Sequence, residues 1–190
     1  DILLPPDLRF FAHGSFAMVV VRGVGARWSC EVVGDDRTSG REEGIAMSVL
    51  LLDVGNTRLK WGVLDDGGIR RTGHIAQEKI REQGLVVLTT KLPRRVDAVR
   101  ASNVAGTRFA TRLSGVIGMH CNADVHFARS EKRGWGVTNG YRQPRRLGVD
   151  RWVAMIGAWA EVQSSCLIVD AGTALTLDAI DDDGVHLGGQ

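Results

Sequence analysis

The sequence lacks several features that would place it in a particular class of protein. Its three cysteines, Cys30, Cys121 and Cys166, are far apart and form no CxxC pair, which argues against a disulfide framework or a structural zinc site and favours a reducing cytoplasm. No run of 18 apolar residues is present, so we expect no membrane helix, and residues 1–16 do not resemble a secretory signal. Basic residues outnumber acidic ones by only 24 to 22, which gives no reason to expect nucleic acid as a partner.

What the sequence does contain is typical of a folded protein. It has 190 residues, of which 44% are hydrophobic and 24% charged, as in one large domain or two small ones. From residue 49 onwards the pattern alternates between strand and helix, which predicts an α/β fold. The predicted strands are residues 49–54, 59–64, 69–75, 97–101, 124–128, 166–169 and 174–180, and the predicted helices are residues 77–90, 106–117 and 146–163.

Residues 1–46 differ from the rest of the chain. They are rich in turn residues, with candidate short strands at residues 16–21 and 28–33, and Met47 resembles a natural start. Two explanations stay open: a fused or mis-assigned upstream segment, or a genuine N-terminal subdomain. We predict that residues 1–46 contribute no site residue and that a chain beginning at Met47 folds as well.

The chain contains an internal repeat. Residues 50–57 (LLLDVGNT) and 167–174 (LIVDAGTA) align without a gap at an offset of 117 positions, and each copy is an apolar strand followed by an Asp-x-Gly turn. Glycine lets a ligand approach the main chain, successive N–H groups can bind an anion, and the Asp can hold a hydrated divalent ion. Two such turns could clamp a nucleotide triphosphate, the alternative being ordinary β-turns with solvated Asp residues. No GxxxxGK[ST] segment is present, which excludes a P-loop protein.

Five ordered segments make the sequence from Met47 onwards resemble the type III pantothenate kinases. They are DVGNTRLKW at residues 53–61, Gly140-Tyr141 with Pro144, LGVDRW at 147–152, DAGTALTLD at 170–178, and Gly188-Gly189. The resemblance implies duplicated ribonuclease-H-like domains of the actin, sugar-kinase and Hsp70 type. Because the family continues past Gly188-Gly189, the second domain is expected to be incomplete, and this chain to be inactive or poorly soluble. The implied division is an upstream segment (1–46), a first ATPase-like domain (47–145) and the start of a second one (146–190).

The same resemblance implies an activity and its site. Members phosphorylate pantothenate with ATP, the first step of coenzyme A biosynthesis, using Mg²⁺ and a monovalent cation, K⁺ or NH₄⁺, and are expected to be homodimers. The implied ATP-binding residues are Asp53, Val54, Gly55, Asn56, Thr57, Arg58, Leu59, Lys60 and Thr173. The implied pantothenate-binding residues are Tyr141, Gly148, Val149, Asp150 and Arg151, with Asp150 as the proton acceptor. Asp170 is the implied ligand of the monovalent cation.

The chemistry of these side chains agrees with such roles but leaves alternatives. A carboxylate such as Asp150 must accept the proton of an alcohol nucleophile, although an acid at a helix start also complements the helix dipole. Arg151 can bind a substrate carboxylate or form a surface ion pair. Lys60 can reach phosphate or point to solvent, and Tyr141 can belong to the core or to a loop.

A second hypothesis keeps the fold and changes the function. Some members of this family are described as transcriptional accessory factors, so the chain could be a regulatory protein. Asp53, Asp150 and Asp170 are all intact, which favours the enzyme. The basic cluster Arg142, Arg145, Arg146 and Arg151 lacks interleaved aromatic residues, so we expect it to attract anionic substrates rather than nucleic acid.

Overall fold

A computed structural model describes residues 10–13, 16–22, 48–65, 68–171 and 174–190. The chain divides into two compact units. One contains residues 34–128 and is called here the first-repeat unit; the other contains residues 1–33 and 129–190 and is called the second-repeat unit. This division falls after Ala128, earlier than the predicted boundary after residue 145.

The described residues contain both strands and α-helices, so the predicted α/β class is confirmed. The strands are β1 (Phe10–His13), β2 (Phe16–Arg22), β3 (Val49–Val54), β4 (Arg58–Asp65), β5 (Gly68–Ala76), β6 (Ala98–Asn103), β7 (Val125–Phe127), β8 (Arg133–Gly134), β9 (Val137–Thr138), β10 (Cys166–Ala171), β11 (Leu175–Ile180) and β12 (His186–Gly189). The helices are α1 (Gln77–Gln83), α2 (Thr107–Cys121) and α3 (Val149–Val162), with short 3-10 helices at Leu85–Thr90 and Pro144–Arg146. None of the helices in the described ranges has both the length and the apolar character of a membrane span.

The first-repeat unit is built on a five-stranded sheet in the order β5-β4-β3-β6-β7. Its central strand, β3, is antiparallel to β4 and parallel to β6. Alternate residues of β3, Leu50, Leu52 and Val54, are buried in a core that also contains Leu113 and Ile117 of α2. Because β3 and β6 are parallel, the carboxyl end of β3, where Asp53 lies, is beside the carboxyl end of β6.

The second-repeat unit has its own five-stranded sheet, in the order β1-β2-β10-β11-β12. Strand β10 is antiparallel to both β2 and β11. Helix α3 buries Trp152, Met155 and Ala158 in a core shared with Ile168 and Ile180 of the sheet. The strand β2 corresponds to the candidate strand at residues 16–21, whereas the candidate strand at 28–33 lies outside the described residues.

All three predicted helices have different bounds in the structure. The predicted helix 106–117 runs from Thr107 to Cys121, and the other two differ at a glycine. The predicted helix 77–90 breaks at Gly84, which has φ +75 and donates its N–H to the carbonyl of Ile80, and a 3-10 helix follows. The predicted helix 146–163 begins only at Val149, because its N-cap Gly148 has a ψ of 134°, which is not helical. In both places a glycine ends or delays the helix, and apolar periodicity alone does not locate such a boundary.

Candidate functional site

The first Asp-x-Gly turn carries an anchored but partly exposed carboxylate. Asp53 Oδ1 accepts a hydrogen bond of 2.7 Å from Ser102 Oγ on the neighbouring parallel strand. Lys60 lies opposite Asp53 on β4, and its Nζ is 3.8 Å from Asp53 Oδ2. The side chains of Asp53 and Lys60 are 29% and 23% exposed. Strand alternation had left the direction of Lys60 open; the structure places its ammonium group beside Asp53.

The backbone of this turn is held by a buried side chain that the sequence analysis did not single out. Gln77, at the start of α1, donates from Nε2 to the carbonyl of Gly55 and from its own N–H to the carbonyl of Thr57, each at 2.8 Å. Gly55 N–H donates to the carbonyl of Arg58 at 3.0 Å, which closes the turn. A side chain at Gly55 would bring Cβ to 3.1 Å from that same carbonyl oxygen, so the turn favours glycine here.

The predicted ATP-binding residues 53–60 divide by exposure. Asn56, Thr57 and Arg58 are exposed. Val54 and Leu59 are fully buried in the core, so a ligand could reach them only through their backbone. The turn can therefore bind an anion through main-chain N–H groups and the three exposed residues.

The second Asp-x-Gly turn is described only in part. Asp170 is half-buried on β10, opposite Thr176 of β11. Its neighbour in the prediction, Thr173, lies outside the described residues. Within the described ranges, no three His, Cys, Asp or Glu side chains are grouped as metal ligands. The cation-binding role of Asp170 and the ATP-binding role of Thr173 therefore stay predictions.

The start of α3 brings three predicted substrate residues together. Gly148 is the N-cap, Val149 and Asp150 follow in the first turn, and the exposed Asp150 accepts a hydrogen bond of 2.9 Å at Oδ1 from the backbone N–H of Arg151. This contact places the carboxylate in the favourable field of the helix N-terminus. Because Asp150 is also exposed, a ligand could contact its carboxylate.

Arg151 is held in a bidentate pair by a residue that sequence reasoning missed. Its Nε donates to Asp178 Oδ2 at 2.8 Å and its Nη2 donates to Asp178 Oδ1 at 2.6 Å. Its Nη1 lies 3.4 Å from the hydroxyl of Tyr141. The side chains of Arg151 and Asp178 are 16% and 3% exposed, so this is a buried, oriented pair rather than a surface ion pair.

His186 completes this arrangement from the other side of Asp178. Its Nε2 lies 2.9 Å from Asp178 Oδ1, and its side chain is fully buried. The rings of His186 and Tyr141 stack with centroids 5.8 Å apart and planes inclined by 11°. We call Tyr141, Arg151, Asp178 and His186 the buried polar cluster.

The charges of the buried polar cluster stabilise one another. Burial alone raises the pKa of Asp178, but hydrogen bonds from His186 and Arg151 outweigh it and hold that pKa below the ordinary carboxyl value. The hydrogen bond to Asp178 raises the pKa of Arg151. Asp178 is therefore a carboxylate and Arg151 a guanidinium at neutral pH. The sequence signal that could have found Asp178 is a single charged residue in the otherwise uncharged strand LTLDAI.

The loop that carries Tyr141 is organised by buried Asn139. The Asn139 side chain accepts from the Tyr141 backbone N–H at 2.9 Å and donates to the carbonyls of Glu131 and Pro144 at 3.2 and 3.3 Å. Asn139 is fully buried, so these bonds are shielded from water. A single amide side chain thus fixes where Tyr141 enters the cluster.

Two glycines of the recognised motifs allow the cluster to close. A Cβ built on Gly140 would overlap the backbone carbonyl of His186. One built on Gly189 would overlap the Leu177 carbonyl and lie 2.6 Å from Arg151 Nη2. Gly140 and Gly189 therefore serve close backbone approach to the cluster.

Comparison with known proteins identifies the family of the chain. The family model of the type III pantothenate kinases matches residues 49–190. The chain belongs to this family. Relatives named type III pantothenate kinase include those of Dechloromonas aromatica (strain RCB), 40% identical over 141 residues, and Azoarcus sp. (strain BH72), 41% identical over 143 residues. A third, from Halorhodospira halophila (strain DSM 244 / SL1), is 39% identical over 145 residues.

These alignments cover 74% of the chain and 58%, 53% and 57% of the three type III pantothenate kinases, respectively. The chain thus spans somewhat over half of the length of the relatives it matches. Every predicted site residue lies within the matched residues 49–190, and residues 1–46 lie outside them. The predicted family is confirmed, and nothing in the comparisons supports a regulatory protein on the same fold.

Proposed function

We propose that the chain contributes to an enzyme that phosphorylates pantothenate with ATP, giving 4′-phosphopantothenate at the start of coenzyme A biosynthesis. The observation that carries the proposal is the exposed carboxylate of Asp150 beside the oriented side chain of Arg151. An alcohol nucleophile needs a proton acceptor, and a carboxylate substrate needs a fixed cationic partner. Both groups lie at the start of α3, within the matched segment.

The second-repeat unit would act on pantothenate. Asp150 takes the proton of the substrate hydroxyl while the hydroxyl oxygen forms a bond to the γ-phosphorus of ATP and the bond from that phosphorus to ADP breaks. Arg151 has two nitrogens engaged by Asp178, so Nη1 and the remaining N–H of Nη2 face the substrate carboxylate. Tyr141, Gly148 and Val149 would line the same subsite.

The first-repeat unit would act on ATP. Residues 53–60 bind its phosphates, chiefly through the main chain of the turn at Gly55. Asp53 suits a hydrated Mg²⁺, which keeps most of its water ligands and needs few protein carboxylates. The Asp53 carboxylate is fixed by Ser102 and partly exposed, and Mg²⁺ would neutralise phosphate charge there.

The remaining parts of the proposal concern the second turn and the assembly. Thr173 would bind ATP phosphate, and Asp170 would bind K⁺ or NH₄⁺. The expected measurement is a rate raised by K⁺ or NH₄⁺ over Na⁺, with Asp170→Ala abolishing that difference. Equal rates in sodium and potassium buffers would remove Asp170 from the proposal.

We also propose that the two units are duplicated ribonuclease-H-like domains of the actin, sugar-kinase and Hsp70 type, in a cytoplasmic homodimer. Support comes from the two five-stranded sheets, each with one copy of the repeat. Sedimentation would measure the oligomeric state.

The central test is pantothenate-dependent release of ADP, with the product identified by mass spectrometry. The chain is assayed with ATP, Mg²⁺ and K⁺, with and without pantothenate, beside the Asp150→Asn variant as control. Because the sequence predicts little activity for this chain, the same assay is run on the protein extended to the length of its relatives, for which we expect ADP release that requires pantothenate and is lost in the variant. A folded chain that binds neither pantothenate nor ATP in calorimetry would contradict the proposal.

A further inference from the structure

One position of the internal repeat holds an aromatic residue in the first-repeat unit and a charged residue in the second-repeat unit. Trp61 follows Asp53 by the same number of residues as Asp178 follows Asp170. Both are buried, Trp61 to 7% and Asp178 to 2% exposure. Each also pairs with a glycine on the next strand, Trp61 with Gly73 and Asp178 with Gly189.

Different kinds of side chain occupy the space above each of these two glycines. A Cβ on Gly73 would overlap the indole of Trp61, and a Cβ on Gly189 would meet Asp178 and Arg151. The first-repeat unit thus fills this space with an aromatic ring. The strand position itself therefore does not require a charge.

Stability does not account for the charged version. A buried ion pair is often no more stabilising than apolar side chains of the same volume, because both charges lose their hydration. His186 adds a second unfavourable feature, since neither of its buried ring nitrogens makes a hydrogen bond of good geometry among the described residues. Its Nε2 is in close polar contact with Asp178 Oδ1, at 2.9 Å. Since folding stability does not explain why these residues are charged, we look to the side chains that they orient.

We propose that Asp178 and His186 are positioning residues for pantothenate binding, acting through Arg151 and Tyr141. The inference rests on the proposed function, in which Arg151 and Tyr141 contact the substrate. Asp178 occupies Nε and one N–H of Nη2, which leaves the Nη1 edge of the guanidinium as the edge that meets a carboxylate. His186 holds Asp178 from the opposite side and supports the face of the Tyr141 ring.

This arrangement predicts that the direction of Arg151, rather than its charge, governs affinity. Asp178→Asn keeps the shape of the side chain and leaves Arg151 charged, but it weakens the bidentate hold. If charge alone mattered, removing the compensating carboxylate would strengthen binding of an anion. If orientation matters, it weakens binding.

The experiment measures affinity for pantothenate and for ATP by calorimetry, together with KM and kcat where turnover is seen. For Asp178→Asn we expect pantothenate Kd and KM to rise about 10- to 100-fold, the usual effect of losing hydrogen bonds to a charged group. The Kd for ATP should change much less, and the unfolding midpoint should fall, because the buried Arg151 loses its carboxylate partner. His186→Gln retains an amide donor toward Asp178 and should weaken pantothenate binding less than His186→Leu.

Asp182→Asn is the matched control. Asp182 lies in the turn before β12 and accepts hydrogen bonds from Ser165; among the described residues it makes no hydrogen bond or ion pair with the cluster. The substitution makes the same chemical change at an exposed site, so pantothenate affinity should stay at the wild-type value. A similar loss in Asp182→Asn would attribute the effect to general destabilisation and overturn the inference.

A measurement made without substrate distinguishes failure of this inference from failure of the proposed function. The ¹⁵N NMR signal of Arg151 Nε–H should exchange slowly in the wild type and quickly in Asp178→Asn. Unchanged pantothenate Kd in both Asp178→Asn and His186→Leu, with the wild type binding normally, overturns this inference alone. Slow exchange in a wild type that does not bind pantothenate overturns the proposed function and with it the substrate role of the cluster. Should Asp178→Asn fail to fold, the two His186 variants decide the matter.

Discussion

The central strands of the two sheets have the same length and sequence pattern but different neighbours. Strand β3 lies between antiparallel β4 and parallel β6, both within residues 34–128. Strand β10 lies between β11 and β2, both antiparallel, and β2 comes from the far N-terminal part of the chain. An apolar strand thus encodes its own extended conformation, whereas its pairing partner depends on the rest of the chain.

The two hairpins also differ in register. Asp53 pairs with Lys60, so a strict repeat would pair Asp170 with Leu177, but Asp170 pairs with Thr176. A shift of one residue turns alternate side chains to the other face of a strand. Asp53 therefore has a lysine opposite it and Asp170 a threonine, which gives the two carboxylates of the repeat different surroundings.

The largest expected effect is on turnover. It comes from a substitution in the second-repeat unit that should leave ATP binding by the first-repeat unit unchanged. Asp150→Asn should lower the turnover of the active enzyme about 10²- to 10⁴-fold, as the loss of a general base usually does. ATP affinity should be nearly unchanged, because residues 53–60 are untouched. Steady-state kinetics and ATP titration measure both quantities. Near-normal turnover would remove Asp150 as the proton acceptor.

The next prediction compares Gly73 and Gly189, the glycines that pair with Trp61 and Asp178. Gly73→Ala and Gly189→Ala should each reduce the free energy of unfolding by about 1–3 kcal/mol through overpacking. Only Gly189→Ala should also weaken pantothenate binding, because its Cβ would displace Arg151 and Asp178. Denaturant unfolding and calorimetry test the pair. Equal pantothenate affinity in the two variants would contradict the comparison.

A smaller effect concerns the edge of β10. From sequence, a chain beginning at Met47 was expected to fold as well as the full chain; the pairing of Phe16–Arg22 with β10 changes that expectation. Removing residues 1–46 uncovers the edge of β10, and open strand edges favour aggregation. We expect increased light scattering and a lower unfolding midpoint. A shorter deletion that ends before Phe10 is the control and should leave both values unchanged.

The smallest effect is the response to acid. The pKa of Asp178 is lowered in the folded chain, so its contribution to stability is present above the unfolded-state value of about 3.9. That contribution is lost as the pH falls through the lower folded pKa. The unfolding free energy of the wild type should therefore decline more steeply below about pH 4 than that of Asp178→Asn. Parallel curves measured by denaturant titration would show that Asp178 is not held ionised by its neighbours.

Much of the first-repeat site could be predicted because it is local in sequence. Asp53, the Gly55 turn and the return strand with Lys60 are consecutive, and hydrophobic alternation sets the strands on either side. Gln77 and Ser102 were missed because they reach this turn from α1 and β6, and polar residues at such positions have no periodic signal. The long helix α3 was recognised, but its start was misplaced by three residues because Gly148 delays it.

The sequence by itself determined the family, the α/β class, the central strands and the position of the first Asp-x-Gly turn, because these depend on side-chain order within a few residues. Only the tertiary structure decided which strands pair, in what register, and which buried groups meet. Arg151, Asp178 and His186 come from three separate elements, α3, β11 and β12. Their polar contacts, of 2.6 Å between Arg151 and Asp178 and 2.9 Å between His186 and Asp178, exist only because the sheet and the helix bring those elements together.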